Sequence, residues 1–239
     1  MISATSSPFN RDAFYIGGVL GTTFNGGATN WQGYGFSDQL TTTLANHSDT
    51  SVVTAGFLAG YQHRMESRPM IVSAEADINY LGNMRSNSSV TFLRPFGSDG
   101  NAPNGVYTLS SGRSSNYYGT VRGHLGYLVK DNIQLFVSGG FAYAGNSDAG
   151  DSTVTYTSFF GNTSSYTGHG SSQSHTGTVF GAGGEYALDT QMSVRLEYEY
   201  INLGNSNVTL TGPQGAQYYI VNNIEEHFSV LRLGVVVHY

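Results

Sequence analysis

One feature constrains this chain more than any other. Eight stretches alternate between apolar and polar residues, and the connections between them are by turns very short and very long. The stretches are Asp12–Phe24, Ser51–Arg64, Pro69–Leu81, Asn116–Val129, Asn132–Ala144, Ser174–Ala187, Gln191–Leu203 and Glu226–Tyr239. A period of two puts successive side chains on opposite faces of a β-strand. At roughly 13 residues each, these strands exceed the 5–6 usual in globular sheets. They suit a tilted strand that crosses a bilayer, which needs about 9–11. Met65–Arg68, Lys130–Asp131 and Leu188–Thr190 are the short connections. Asn25–Thr50, Gly82–Ser115, Gly145–Gln173 and Gly204–Glu225 are the long ones, rich in Ser, Thr, Asn and Gly. Structureless loops of that length normally argue against an assignment. Here all four fall at one end of an up-and-down meander.

The two faces differ sharply. In the third stretch Met70, Val72, Ala74, Ala76, Ile78 and Tyr80 oppose Ser73, Glu75, Asp77 and Asn79. In the seventh, Met192, Val194, Leu196, Tyr198 and Tyr200 oppose Ser193, Arg195, Glu197 and Glu199. In the fourth, Val121, Leu125, Tyr127 and Val129 oppose Thr120, Arg122 and His124. In the eighth, Leu231, Leu233, Val235, Val237 and Tyr239 oppose Arg232, Gly234 and His238. Alternation alone does not say which face is inside, but the aromatic positions do. Phe14, Tyr61, Tyr127, Tyr186 and Tyr239 stand on the apolar faces at the short-turn end, and Phe24, Tyr80, Tyr143 and Tyr200 at the long-loop end. Two aromatic girdles belong where an outward apolar band meets two water interfaces. The expected fold is therefore all-β: an eight-stranded antiparallel up-and-down transmembrane barrel with short periplasmic turns and four long extracellular loops. Its lumen is just wide enough to be filled by side chains, and Gly56, Gly60, Gly126, Gly181, Gly183 and Gly234 leave room there for long charged ones.

Composition excludes other classes. With no cysteine there is neither a disulfide framework nor a thiolate metal site. A net charge of -6 opposes nucleic-acid binding, and no run of about 20 apolar residues offers a membrane helix. Met1–Asn10 lacks the basic start and apolar centre of a signal peptide. The chain reads as a mature exported form, with residues 1–11 a periplasmic tail and 12–239 the barrel.

These strands resemble an outer-membrane β-barrel domain family that includes many alphaproteobacterial surface antigens and hemin-binding proteins. The resemblance is carried by EADINYLG (Glu75–Gly82), GTVRGHLGYLVKDNIQLFVSGGFAYA (Gly119–Ala144), GAGGEYALDTQMSVRLEYEYINLG (Gly181–Gly204) and LRLGVVVHY (Leu231–Tyr239). It covers nearly all the strands and little of the long loops. It implies the OmpA-like eight-stranded fold, a bacterial outer-membrane location and an environment of lipid and lipopolysaccharide. It also implies a C-terminal aromatic, Tyr239, read by the barrel-assembly machinery during insertion. Longer OmpA-like proteins carry a periplasmic peptidoglycan-binding domain, and none is expected after the eighth strand.

The best-defined candidate site is a lumenal charge network of Glu75, Asp77, Arg122, Glu185, Arg195, Glu197, Glu199 and Arg232. Charges in a narrow low-dielectric lumen must be paired. A salt-bridged plug is favoured over a gate or ion path. His227 and Ser229 form His-x-Ser on one strand face but lack an acid to orient the histidine, so no catalytic residue is assigned. His169 and His175 lie near Tyr156, Phe159, Phe160 and Tyr166 in a long loop. They carry no metal or heme motif, and no cofactor is expected. Trp31, Tyr218 and Tyr219 stand among loop residues suited to adaptable recognition, the route for any host or ligand contact. The expected protein is a monomeric, non-enzymatic surface protein that supports the envelope. An adhesin or hemin receptor acting through the loops, and a narrow low-conductance pore, are the alternatives.

Overall fold

In a computed structural model of the chain, the residues described are 7–26, 29–34, 40–44, 51–94, 105–158, 161, 163–169, 175–211 and 219–239. A 3-10 turn, Pro8–Asn10, leads into eleven strands: β1 (Ala13–Gly26), β2 (Thr29–Tyr34), β3 (Leu40–Leu44), β4 (Val52–Arg64), β5 (Met70–Arg94), β6 (Gly105–Lys130), β7 (Ile133–Ser158), β8 (Thr163–His169), β9 (His175–Ala187), β10 (Met192–Thr211) and β11 (Tyr219–His238). Eight of them form the barrel, in the order β1-β4-β5-β6-β7-β9-β10-β11, with every neighbouring pair antiparallel. Pairing of β1 with β11, from Tyr15–His238 to Gly26–His227, closes the sheet. Closure gives the ladder no free edge within lipid, where an unpaired backbone group would be costly.

The eight expected stretches coincide with the eight barrel strands, but the structureless reading of the long connections is corrected. Past the membrane edge β5 and β6 stay paired from Met84–Ser115 out to Arg94–Gly105. Likewise β10 and β11 stay paired out to Thr211–Tyr219. β8 adds to the distal part of β7, while β2 adds to the distal part of β11 and β3 to β2. Two strands already in register extend at little entropic cost. Outside lipid nothing requires an apolar outer face, so the pattern that reads the spanning strands lapses there. Register shifts mark the boundary at Tyr80/Met84 and Asn202/Gly204. At the second, Gly204 takes a positive φ of 82°, and its N–H donates to Asn202 Oδ1 at 2.9 Å. A bulge of this kind bends the strand and re-aims it.

The faces divide as the alternation predicts. Phe57 is 75% exposed, Leu20 65% and Val121 63% on the outside, while Glu197 is fully buried and Arg122 2% exposed inside. An apolar exterior around a charged interior is the reverse of a water-soluble barrel. The interior is layered. Toward the long loops an apolar cluster fills the lumen, with Leu81, Tyr118, Val179, Ile201, Phe228 and Val230 among its members. Tyr15, Val19, Leu58 and Val236 make an apolar wall on the β1–β4–β11 side. At the short-turn end Phe9 packs with Ile71, Leu128 and Ala187. The charges lie between. The reading of residues 1–11 as a tail did not anticipate Phe9, which is completely buried.

Candidate functional site: a buried ionic layer

Each charge in the layer is turned inward by strand parity. Glu75 and Asp77 come from β5, Arg122 from β6 and Glu185 from β9. Arg195, Glu197 and Glu199 come from β10, and Arg232 from β11. All eight are buried. Adjacent-strand register places Glu75 opposite Arg122, Glu185 opposite Arg195 and Glu197 opposite Arg232. The meander predicts which of these strands adjoin, and the register sets the pairs.

Contacts across the lumen then join the pairs into one network. Arg122 donates to Glu75 and Glu197, each at 2.6 Å, and to Asp77 at 2.9 Å, and it also pairs with Glu199. Arg232 pairs with Asp77 at 3.0 Å, with Glu197 and Glu199 at 2.8 Å each, and with Glu75 at 3.5 Å. Arg195 bridges Glu185 at 3.0 Å and Glu75. Its guanidinium also lies 5.4 Å from the Tyr15 ring centre and 5.3 Å from that of Phe136, a cation–π setting of the kind a desolvated guanidinium favours. Planar guanidinium forks reach several carboxylates at once, which suits arginine better than lysine here.

Neutral groups complete the layer, and sequence reading had not placed them in it. Thr120 and Asn79 donate to Asp77 at 2.8 and 2.7 Å, Ser138 to Glu197 at 3.3 Å, and Tyr118 to Glu199 at 3.4 Å. His238 Nε2 lies 3.2 Å from Glu185 and 3.1 Å from Ser193, whose hydroxyl donates to Glu185. His124 lies 3.7 Å from Glu75. Apart from Ser138 on β7, their common signal is inward parity on strands already carrying charges. Five carboxylates face three guanidiniums, so two imidazoles stand beside a surplus of negative charge. Space comes from glycine. A Cβ on Gly181 would stand 2.5 Å from Ser138 Oγ and 3.2 Å from Glu197 Oε1, and one on Gly60 would enter the Tyr15 ring.

Outside the spanning segments, two carboxylates anchor the short-turn end. Asp12 accepts from the Arg64 backbone N–H and from His63, both at 2.9 Å, and these bonds hold its carboxyl below the usual range. Asp189 accepts from the backbone N–H groups of Gln191 and Met192, both at 2.7 Å, which lowers it likewise.

The other candidates fall as follows. Phe14, Tyr61, Tyr127, Tyr186 and Tyr239 at one end, and Phe24, Tyr80, Tyr143 and Tyr200 at the other, are all exposed on the outer surface. Ser229 shares a 2.7 Å hydrogen bond with the Tyr198 hydroxyl, and the His227 ring sits 6.0 Å from that of Tyr200. The serine is thus engaged by a tyrosine rather than by the histidine. His169 and His175 lie on β8 and β9. Their side chains, and those of Trp31, Tyr156, Tyr166 and Tyr219, fall outside the described residues, as do Phe159, Phe160 and Tyr218 altogether. Among the described residues no group of three or more His, Asp or Glu is placed to hold a metal ion.

The family model of the OmpA-like transmembrane domain matches residues 9–239. The 31 kDa outer-membrane immunogenic protein of Brucella melitensis is 30% identical over 92 residues, which are 38% of this chain and 35% of that protein. The protein of the same name from Brucella suis matches equally. The aligned stretch is therefore about a third of either relative. The outer membrane protein OprG of Pseudomonas aeruginosa shares the fold at a TM-score of 0.50 and 11% identity, covering 96% of each chain.

Proposed function

Because the chain belongs to the OmpA-like transmembrane domain family and is a β-barrel of the bacterial outer membrane, we propose that it is a non-enzymatic surface protein. It supports the envelope, its lumen is plugged by the ionic layer, and its long strand hairpins project from the cell. The observation that carries this reading is the network itself. Eight buried charged side chains from β5, β6, β9, β10 and β11 are cross-linked over the lumen. Eight strands leave room for side chains rather than for a water column. The paired extensions of β5–β6 and β10–β11 support display of a rigid outer surface facing lipopolysaccharide. The name of the Brucella relatives, immunogenic outer-membrane proteins, fits such exposure. The protein acts as a monomer inserted by the barrel-assembly machinery, with no cofactor.

Two measurements test this. Purified folded barrel in a planar bilayer gives no large, steady single-channel current. A strain lacking the protein becomes sensitive to detergent and is rescued by the parent chain but not by an empty vector. Steady current would promote the pore reading. Unchanged detergent resistance would remove the envelope role and leave recognition by the hairpins.

A further inference from the structure

We infer that Ser7–Arg11 is a latch closing the short-turn, periplasmic mouth of the barrel, and that its release opens the lower lumen to periplasmic solutes. A segment that merely preceded β1 would stand in water. This one turns back under the barrel. Ser7 Oγ accepts from the Phe9 N–H at 3.3 Å, and proline at position 8 presets the turn. Phe9 is then inserted among Ile71 of β5, Leu128 of β6 and Ala187 of β9, on one half of the ring, and its ring also reaches His238 of β11, which lies opposite β6, so it spans the mouth.

A built receptor meets it. Gln62, only 3% exposed, donates through Nε2 to the Pro8 carbonyl at 2.8 Å and to the Arg11 carbonyl at 3.1 Å. Arg11 donates to the His238 carbonyl at 3.4 Å. The Phe9 ring meets the His238 imidazole edge-on at 5.9 Å and 86°. His238 reaches Glu185 and Ser193, and Glu185 is bound to Arg195. The latch thus ends where the ionic layer begins. It is held by the Phe9 ring, the Gln62 amide and the Arg11 guanidinium. That places it at the low-stability end of the molecule, where local opening precedes global unfolding. Just beyond it, Asp12 clamps the start of β1 to the end of β4, so the segment can leave without unzipping the barrel.

This inference rests on the reading of the lumen as plugged, and thiol probes separate the two. The chain has no cysteine, so any introduced thiol is unique. Ser193→Cys and Ala187→Cys each place one on the periplasmic side of the layer. Thr54→Cys places one in the lumen toward the long loops, at a buried hydroxyl that has no hydrogen-bond partner among the described residues. Each is combined with an intact latch, with Phe9→Ser and with Gln62→Ala. Folding is verified by heat-modifiable gel migration and circular dichroism. Reaction with a charged, membrane-impermeant methanethiosulfonate is then timed.

With the latch intact, Cys at 193 or 187 reacts slowly. Phe9→Ser accelerates it by about tenfold or more, as expected for a locally closed site that opens, and Gln62→Ala accelerates it less. The thiol at 54 stays unreactive throughout. The latch is overturned if the lower thiols react fast while it is intact, or if neither latch variant changes their rate. If the thiol at 54 is released along with the lower ones, the latch stands and the plug falls.

Discussion

Arg232→Ala is expected to destabilise the folded barrel by about 3 kcal/mol, the low end of the roughly 3–5 kcal/mol typical when one partner of a buried ion pair is removed. Arg232 is 2% exposed and pairs with Asp77, Glu75, Glu197 and Glu199. Its loss changes the lumen from five carboxylates against three guanidiniums to five against two. The low end applies because Arg122 contacts the same four carboxylates, so none is left without a cation. Water entering the vacated space relieves part of the remaining repulsion. The assay is urea unfolding of barrel folded in short-chain lipid bilayers, followed by circular dichroism. The double variant Arg232→Ala/Glu199→Gln should recover more than about 1 kcal/mol of the loss, within the range seen for residues sharing one network. If Arg232→Ala unfolds like the parent, or the two substitutions are simply additive, the lumen is not the coupled layer described here.

Arg195→Ala should be more damaging than Arg232→Ala in the same titration. Glu185 has no second guanidinium among its described ion pairs and would be left with only His238 and Ser193. Leu196→Arg, 53% exposed on the lipid face, should cost about 2–4 kcal/mol or block insertion if it sits near the midplane. Leu196→Phe should insert normally in the same vesicle-folding assay. The carboxyl of Asp12 is depressed in the fold, so its stabilising bonds persist down to the ordinary carboxylate pKa of about 3.9 and are lost as pH falls through the folded value. The melting difference between the parent and Asp12→Asn should accordingly persist down to about pH 4 and shrink progressively as pH falls further, through the folded value. Protease added to whole cells should cut within residues 82–115 or 145–173 and spare Met65–Arg68, as judged by the fragment sizes.

The parts of this architecture legible in the sequence are those where lipid imposes a contrast. Between Met70 and Tyr80, or Met192 and Tyr200, one face must be apolar and the other need not be, so the pattern gives the strand, its length and its orientation. Which charged strands adjoin follows from the meander alone. Contacts such as Arg122–Glu197 and Arg195–Glu75 do not, because they depend on the barrel's curvature and on how strands slip past one another around the ring. Beyond the bilayer the outer face is no longer held to be apolar. The inward residues Leu81, Ile201, Leu203 and Phe228 then become the oily ones, as in a water-soluble barrel, and the phase established in the membrane reverses without warning. Phe9 was illegible for a different reason. A single aromatic before the first strand has no period, and only the closed mouth gives it a place.

The seam between β1 and β11 joins residues more than two hundred positions apart, so none of its ladder can form until both ends of the chain are present. Contacts of such long range are slow to form, since each must await loop closure over the whole intervening chain. Assembly therefore has a definite last step, and that step is self-checking. A barrel zipped with the wrong stagger would misplace His238 against Phe9 and Tyr15, and Arg232 against the carboxylates of β5 and β10. A half-closed sheet also exposes two unpaired edges to its neighbours. The correct ending is favoured energetically, and until it is reached the nascent protein is open to mispairing with other strands at the membrane.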